Sequence, residues 1–211
     1  MPIQITPDDR ARIKTAVELA EKETSGEIVP LVVPVSGNYS WVHPLAAFKG
    51  VLLATVGMEI YSLSHPFPIP AYQWIYVQFL GAALVAALSF VPALRRWAIG
   101  RQRLATRVDE RALATFLSEG LTETKKRTGV LIYVSLFEHR VEILGDRGIH
   151  ARVGDDYWNS LCDVLSKRIA AGELVEGMIA AVRDVGEKLK THFPREADDE
   201  NELSDDVRTR E

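Results

Sequence analysis

The acidic residues around position 150 form the most concentrated group of side chains that could do chemistry. Asp146 follows an apolar stretch that predicts a buried strand, and Asp155 and Asp156 begin a predicted helix soon afterwards. Loops at strand ends are where sites form in α/β sheets. Carboxylate oxygens are the ligands that Ca²⁺ and Mg²⁺ prefer. The sequence therefore predicts a divalent-cation site made of Asp146, Asp155 and Asp156.

A purely structural use of the same residues stays open. Asp155 and Asp156 suit the positive N-terminal end of a helix, whether or not they bind a metal ion. Asp146 is equally suited to capping a short turn over Arg147–His150, or to pairing with Arg147 or Arg140. The sequence alone leaves both interpretations standing.

Other signatures of catalysis are absent from the sequence. We find no phosphate-binding loop, dinucleotide fingerprint, paired-cysteine motif or HExxH. The five histidines are scattered over different predicted elements, so no metal-ligand spacing involving histidine appears.

The stretch before Asp146 predicts the central strands of the sheet. Residues 130–137 are a nearly continuous apolar run, typical of a strand buried on both faces. After Glu138 and His139 break this run, residues 140–144 alternate polar and apolar, as in a strand that is half buried. The pattern predicts a β-hairpin in the middle of the sheet, ending at the turn Gly145–Gly148.

The elements before this hairpin are a capped helix and a proline-containing strand. Thr6 is suited to cap a helix that begins at Pro7. Residues 27–35 then predict a strand in which Pro30 and Pro34 lie four positions apart, so their missing N–H groups face the same side. A central strand tolerates such losses poorly, so we expect an edge or bulged strand. Three further helices are predicted, over residues 104–117, 155–170 and 173–189.

Two apolar segments interrupt these elements. Residues 71–94 carry no charge and exceed the ~20 apolar residues that span a bilayer. Residues 41–63 are a weaker candidate for a membrane span because they contain Lys49 and Glu59. A second span would nevertheless keep both halves of the domain on one side of the membrane. We predict a transmembrane hairpin over residues 41–97, with spans at about 43–63 and 72–94, between domain segments 1–40 and 98–195.

Positive charge predicts the orientation of this hairpin. The turn between the spans has no Lys or Arg, whereas arginines follow the second span. Both termini are therefore expected in the cytoplasm, and anionic lipid head groups are expected near Arg95, Arg96, Arg101 and Arg103. Lys49 and Glu59 mark either a polar pathway or helix pairing, or simply side chains that reach toward the nearer interface.

Overall charge and cysteine content say little about function, apart from the acidity of the C-terminal residues. The net charge is −4, but residues 196–211 hold eight acidic residues against two arginines. Such a segment, with few apolar residues, is expected to be disordered. The single cysteine, Cys162, has no partner for an internal disulfide, and the arginines lack the motifs of nucleic-acid binding.

The stretch TGVLIYVSLFEHRVEILGDRGI, followed by a helix containing Trp158, resembles the TPM-domain family. It is most similar to the bacterial membrane-protein branch, in which two transmembrane helices are inserted in the domain, and we therefore expect a location in the bacterial inner membrane. The resemblance implies an α/β fold, a small mixed β-sheet sandwiched by helices. Some family members bind divalent cations through acidic loops, and phosphatase activity has been proposed for others, which implies catalytic use of Asp146 and Arg147. Arg147 departs from the acidic pattern of soluble relatives.

Two functions follow, and a third is weaker. The first is an accessory or assembly module that engages membrane proteins from a cytoplasmic TPM-like domain. The second is a Ca²⁺- or Mg²⁺-dependent phosphatase with Asp146 as ligand or nucleophile, Asp155 and Asp156 as ligands, and Arg147 stabilising phosphate charge. The third is a transport component built on Lys49 and Glu59, which would require several copies.

Overall fold

The computed structural model describes residues 5–64, 67–124, 127–195 and 206–209. The chain divides into two compact units. One comprises Met1–Ser36 together with Ala105–Glu211, and the other comprises Gly37–Leu104. The strands are β1 (Glu27–Val33), β2 (Gly129–Ser135), β3 (Arg140–Gly145) and β4 (Arg208–Thr209). The helices are α1 (Pro7–Glu21), α2 (Val42–Ser64), α3 (Ala71–Leu88), α4 (Pro92–Ile99), α5 (Arg101–Ser118), α6 (Arg147–Val153), α7 (Asp155–Ala170) and α8 (Leu174–His192).

The four strands form one mixed sheet in the order β3-β2-β1-β4. β1 runs parallel to β2 over seven residue pairs, from Glu27 opposite Gly129 to Val33 opposite Ser135. β2 and β3 form the expected antiparallel hairpin. The hairpin does not occupy the middle of the sheet as a unit, because β3 lies at an edge and β1 pairs with the other side of β2. The sheet is thus built from strands on both sides of the residues 37–104 insertion.

The outer side of β1 is poor in hydrogen-bond donors, as the two prolines predict. The N–H of Glu27 donates to the Thr128 carbonyl on the β2 side, so the N–H groups of residues 28, 30, 32 and 34 face away from β2. That of Ile28 donates to Glu21 Oε1 at 2.7 Å. Pro30 and Pro34 have none to offer. The expectation of an edge strand is nevertheless wrong, because β4 pairs with β1 on this side, next to Leu31 and Val32. Among the described residues this pairing is limited to two residues, so few donors on this side of β1 are needed.

Helices cover both faces of the sheet. One face packs against α1, α7 and α8, and its buried side chains include Ile28, Ile132 and Leu165. The other face packs against α5 through Val108, Ala112 and Phe116, which meet side chains of β1 and β2. The α/β class, with a small mixed sheet sandwiched by helices, is therefore confirmed. α1 begins as predicted, since Thr6 forms a reciprocal capping box with Asp9.

The end of the acidic tail differs from the expected disorder. Residues 206–209 are ordered against the sheet, while residues 196–205 lie outside the described part of the chain. Val207 is buried in the main core. Asp206 accepts a hydrogen bond from Lys14 at 2.8 Å, and Arg208 pairs with Glu119. One apolar residue between two oppositely charged ones gives the tail a docking point that its average composition conceals.

The second unit is built on the helices α2 and α3. A Cβ atom on Gly81 would lie 2.7 Å from the Gly50 carbonyl oxygen and 2.8 Å from Ala54 Cβ, so these helices touch backbone to backbone. Gln78 donates a hydrogen bond across the pair to Thr55 at 3.0 Å. Both helices are long and apolar enough to cross a membrane. Their other sides are exposed.

The second helix ends earlier than expected. The apolar run predicted a span to about residue 94, but α3 stops at Leu88 and a separate helix begins at Pro92. Proline lacks the N–H that would continue the helix, and it disfavours helical geometry in the residue before it. Ser89 closes the end of α3 by donating to the Ala86 carbonyl at 2.6 Å, and its hydroxyl lies 2.8 Å from His43 Nδ1.

Candidate functional site

Asp146, the central residue of the predicted metal site, is buried at the start of α6. Only 4% of it is exposed. Its N–H donates to the Gly129 carbonyl at 2.9 Å, and its Oδ1 accepts from the Arg147 N–H at 2.6 Å. Its Oδ2 is buried and has no hydrogen-bond donor within the described residues. The capping interpretation of Asp146 thus accounts for one of its two carboxylate oxygens.

The direction of β3 determines where Asp146 lies. Because β3 is antiparallel to β2, residues that follow β3 lie at the edge where β1 and β2 begin. Asp146 is therefore at the amino ends of the two parallel strands. The rule that places ligands at carboxyl ends of parallel strands does not apply to this position.

The other members of the predicted set do not enclose Asp146. Asp156 and Arg147 are exposed, and the side chain of Asp155 lies outside the described part of the structure. Within the described residues, no group of three His, Cys, Asp or Glu side chains is placed to hold a metal ion. The Ca²⁺ or Mg²⁺ site stays a prediction that rests on Asp146.

At the opposite edge of the sheet, a buried polar network joins the carboxyl ends of β1 and β2. The Ser36 hydroxyl donates to Ser135 Oγ at 2.7 Å and lies 2.9 Å from the Tyr133 hydroxyl. Ser135 in turn donates to Glu138 Oε2. Glu138 Oε1 accepts from the Ser36 N–H at 2.9 Å. We call Ser36, Tyr133, Ser135 and Glu138 the carboxyl-end network.

Backbone pairing positions this network. Ser135 ends β2 opposite Val33, and the following turn is held to β1 because Leu136 N–H donates to the Val33 carbonyl at 3.0 Å. The turn places Glu138, which is 5% exposed, over Ser36. Buried carboxylates require such hydrogen bonds. Since Ser135 is 1% exposed, a substrate does not reach its hydroxyl, and the network fixes the last residues of β1 instead of supplying a nucleophile.

A cavity of about 350 Å³ lies beside this network, between the β2–β3 turn and the end of α7. Its buried floor is formed by Val134, Ser135 and Val141, and half-buried walls are added by Leu136, Arg140, Ser166 and Ile169. His139, Ala170 and Gly172 are exposed at its rim. His139 has a φ of 53°, a backbone region uncommon outside glycine. The volume of the cavity lies in the range of small-molecule sites.

Arg140 and Glu142 lie on the face of β3 that is turned toward α5, where they meet Asp109. Arg140 Nη2 lies 3.7 Å from Asp109 Oδ1, too far for a good hydrogen bond. Burial raises the pKa of Glu142, the next-but-one residue on β3, and the charge of Asp109 raises it further, while Arg140 lowers it. Arg140 thus lies near two carboxylates without being tightly bound to Asp109.

Comparison with known families identifies the domain. Residues 95–188 match the family model described as TPM domain. The match to the TPM domain thus covers 94 of the 211 residues. The match covers α4 to most of α8, and the resemblance seen in the strand–turn sequence is confirmed.

A solved structure shows the same fold. The NMR structure of BA42 protein from the psychrophilic bacterium Bizionia argentinensis sp. nov. superimposes with a TM-score of 0.60 at 20% identity. The alignment covers 99% of this chain and 97% of that chain. A comparison with curated proteins found no match. At this identity the likeness to BA42 protein establishes the fold and nothing more specific.

The sequence analysis missed the carboxyl-end network and the cavity next to the TPM hairpin. Ser36 and Ser135 each follow an apolar strand, and Glu138 was treated only as a strand breaker. The available signal was a hydroxyl residue at the end of both strands. That signal acquires meaning only once β1 and β2 are known to run in parallel, about a hundred residues apart in sequence.

Proposed function

We propose that the protein is a membrane-anchored interaction module whose cytoplasmic TPM domain serves the assembly or maintenance of a membrane complex. The observation that carries the proposal is the insertion itself. β1 and β2 pair over seven residues although α2 and α3 lie between them in the chain. Inserting a helical hairpin in the bilayer therefore tethers the domain by two chain connections, at residues 36–37 and 104–105.

The surface of α2 and α3 supports a lipid environment. Large apolar side chains point outward along both helices, away from the contact between them. Those that are 62–72% exposed include Leu53, Ile60, Tyr76, Phe79 and Leu80. Exposed apolar area of this extent is rare on proteins that are surrounded by water. A bilayer removes it from water without any further protein partner.

The end of the hairpin unit that carries α4 has the composition of a membrane interface. Trp97 is 84% exposed, and the guanidinium of Arg103 lies over the Trp41 ring at 5.5 Å from its centroid. Arg101 and Arg103 are exposed, whereas Arg95 and Arg96 are half buried. Aromatic side chains and arginines are enriched at the cytoplasmic interface, so we place anionic lipid head groups next to these four arginines.

Lys49 and Glu59 are both exposed on α2. Each lies within about two turns of a helix end, a distance that a long side chain covers by extending toward the head groups. This interpretation needs no ion pathway, and we prefer it to a transport function. Glu59→Gln and Lys49→Gln are accordingly expected to leave ion flux across vesicles unchanged.

The assembly function is tested with photo-crosslinking residues placed one at a time on exposed positions of the TPM domain in living cells. Thr15 on α1 and Asp163 on α7 are suitable because they lie on different helices and both are exposed. The proposal predicts an adduct with one membrane protein at some positions and not at others. Adducts that are absent everywhere, or the same at every position, contradict it.

A divalent-cation-dependent phosphatase is the second candidate, and the buried, unpartnered Oδ2 of Asp146 favours it. Binding of Ca²⁺ or Mg²⁺ to the native state raises the melting temperature. The phosphatase hypothesis predicts such a rise, together with hydrolysis of a phosphate monoester that is lost in Asp146→Asn and kept in a control variant at an exposed acidic residue, Glu187→Gln. No thermal shift at millimolar cation and no hydrolysis would remove it.

A further inference from the structure

The outer side of β1 is covered by a short segment from the end of the chain, residues 206–209, which we call the docked segment. Arg208 lies opposite Leu31 and Thr209 lies opposite Val32, in parallel orientation. Only these two residue pairs form among the described residues, so the backbone contributes little to the contact. Extended segments that join a sheet gain affinity from backbone hydrogen bonds and selectivity from side-chain pockets. Side chains therefore decide what this side of β1 can hold.

The central contact of the docked segment is apolar. Val207 is 7% exposed and belongs to the core cluster on the face covered by α1, α7 and α8. If the segment left without a replacement, apolar side chains of this core would meet water beside an unpaired strand. Proteins normally avoid that combination, because it promotes aggregation. The outer side of β1 therefore requires an occupant with an apolar side chain at this position.

Charges on the two faces of the sheet select the residues on either side of Val207. Asp206 Oδ1 lies 2.8 Å from Lys14 Nζ on α1. Arg208 pairs with Glu119, which follows α5 and whose side chain is 7% exposed. A base, an apolar site and an acid thus receive the order acidic, apolar, basic. A slip by one residue would turn each side chain to the wrong face, so this order is recognised in one register.

The docked segment is held by few contacts and by its connection to the rest of the chain. Residues 196–205 join it to the end of the last helical region, and so short a tether gives an effective concentration on the order of millimolar. The ion pair between Lys14 and Asp206 is exposed and adds little. A strand from another protein with the same three side chains makes the same contacts. It replaces the docked segment when its local concentration is comparable, as it is for a partner anchored in the same membrane complex.

We propose that the outer side of β1 is where the TPM domain binds its partner. The partner supplies an extended segment in which an apolar residue is preceded by an acidic residue and followed by a basic one. This segment displaces the docked segment and pairs with β1 in its place. The inference rests on the proposed assembly function for the existence of a partner, and it adds where that partner binds and what sequence it presents.

The test measures binding of a fluorescein-labelled peptide with the sequence of residues 204–211, SDDVRTRE, to the full chain in lipid nanodiscs. One acceptor is the Val207→Asp chain, in which a charge at a buried position releases the docked segment. The second is Arg208→Glu, since repulsion from Glu119 releases the segment without placing a charge in the core. We expect a saturable rise in fluorescence anisotropy with both acceptors. The original chain should bind at least ten-fold more weakly, because its own segment competes.

Two further changes test the register and the charge pairing. Exchanging residues 206 and 207 of the peptide keeps its composition but moves the valine to the other face, so binding should be lost. Glu119→Lys, added to the Val207→Asp acceptor, should weaken binding at least ten-fold, and Arg208→Glu in the peptide should restore it. Glu110→Lys is the matched control, because Glu110 is an exposed acidic residue of α5 outside this contact. It should leave binding unchanged.

Several results would overturn the proposal. Acceptors that are folded by circular dichroism but do not bind the peptide exclude the site. Equal binding of the exchanged peptide excludes the register, and an equal loss in Glu119→Lys and Glu110→Lys attributes binding to overall charge. A dimer of the original chain in detergent that dissociates in Val207→Asp would assign this side of β1 to a second copy. None of these results affects the crosslinking test of the assembly function, so the two proposals fail independently.

Discussion

Glu138 is a carboxylate in a nearly closed environment, and its hydrogen bonds determine what it does. It accepts from the Ser36 N–H and the Ser135 hydroxyl, and it is 5% exposed. Ser36 follows β1 and is the last residue before the insertion of residues 37–104. Glu138 therefore fixes the chain at the point where it leaves the sheet. Glu138 thus helps to hold the segment before the insertion against the segment after it.

Removing that carboxylate should destabilise the TPM domain. In Glu138→Ala, one backbone N–H and one buried hydroxyl lose their acceptor, at a cost of about 1–3 kcal/mol in the free energy of unfolding. Urea unfolding followed by circular dichroism measures this loss. The control is Glu176→Ala, which removes an exposed ion pair with Arg12 and is expected to cost about 1 kcal/mol or less. Equal urea midpoints for the two variants would show that the network contributes nothing.

Cys162 gives the domain a dependence on alkaline pH. Burial, followed by the negative charge of Glu142, raises the pKa of its thiol from the ordinary 9.0 to about 12. Between these values the unfolded chain has lost the proton and the native chain has kept it, so rising pH favours unfolding. The stabilising contribution is complete below about pH 9 and is lost toward pH 12.

This predicts that Cys162→Ala reduces the drop in urea midpoint between pH 8 and pH 10.5. Tyr157, whose pKa burial also raises to about 12, is present in both proteins and cancels in the comparison. If the urea midpoint drops equally with pH in the original and the substituted chain, the pKa of the Cys162 thiol is the same in the folded and the unfolded state, which contradicts the prediction. Alkylation of Cys162 below pH 9 should likewise be slower than that of an exposed cysteine introduced by Ser160→Cys.

At the scale of elements, the contact between α2 and α3 depends on two glycines. A side chain on Gly50 would collide with the backbone at Gly81, whereas one on Gly57, on the same helix, meets nothing within 4 Å. Small residues of this kind allow close packing of helices in membranes. The contact is therefore sensitive to volume at one position of α2 and tolerant at another.

We predict that Gly50→Leu separates the helices and that Gly57→Leu does not. The measurement is disulfide formation between cysteines replacing Thr55 and Gln78, whose side chains are hydrogen-bonded in the structure. Crosslinking should fall several-fold in Gly50→Leu only. Equal crosslinking in the two variants would contradict the packing described here.

Local patterns predicted the elements well, and long-range pairing accounts for what they missed. The apolar run of β2, the cap at Thr6 and the prolines of β1 act within a few residues, so their consequences are visible in sequence. The position of Asp146 depends on β3 being antiparallel beside a parallel pair. The hydrogen bond between Ser36 and Glu138 joins residues that are 102 positions apart in sequence. The strand β4 forms only through two residue pairs with β1. No local pattern encodes these contacts.

At the scale of the whole molecule, the proposed membrane hairpin is compatible with one topology. Residues 1–36 and 105–211 form one compact unit, so the proposed hairpin between them would enter and leave the membrane on the same side. A single crossing, with α3 alone in the bilayer, would place β1 and β2 on opposite sides and is incompatible with their seven residue pairs.

The most direct test labels single cysteines with a membrane-impermeant maleimide, in a Cys162→Ala background. The replaced residues are Lys22, Pro68 and Lys167, which are exposed before α2, between α2 and α3, and after both. The account predicts that Pro68→Cys reacts in intact cells, and that Lys22→Cys and Lys167→Cys react only after permeabilisation. Labelling of Lys22→Cys and Lys167→Cys from opposite sides of the membrane would contradict it.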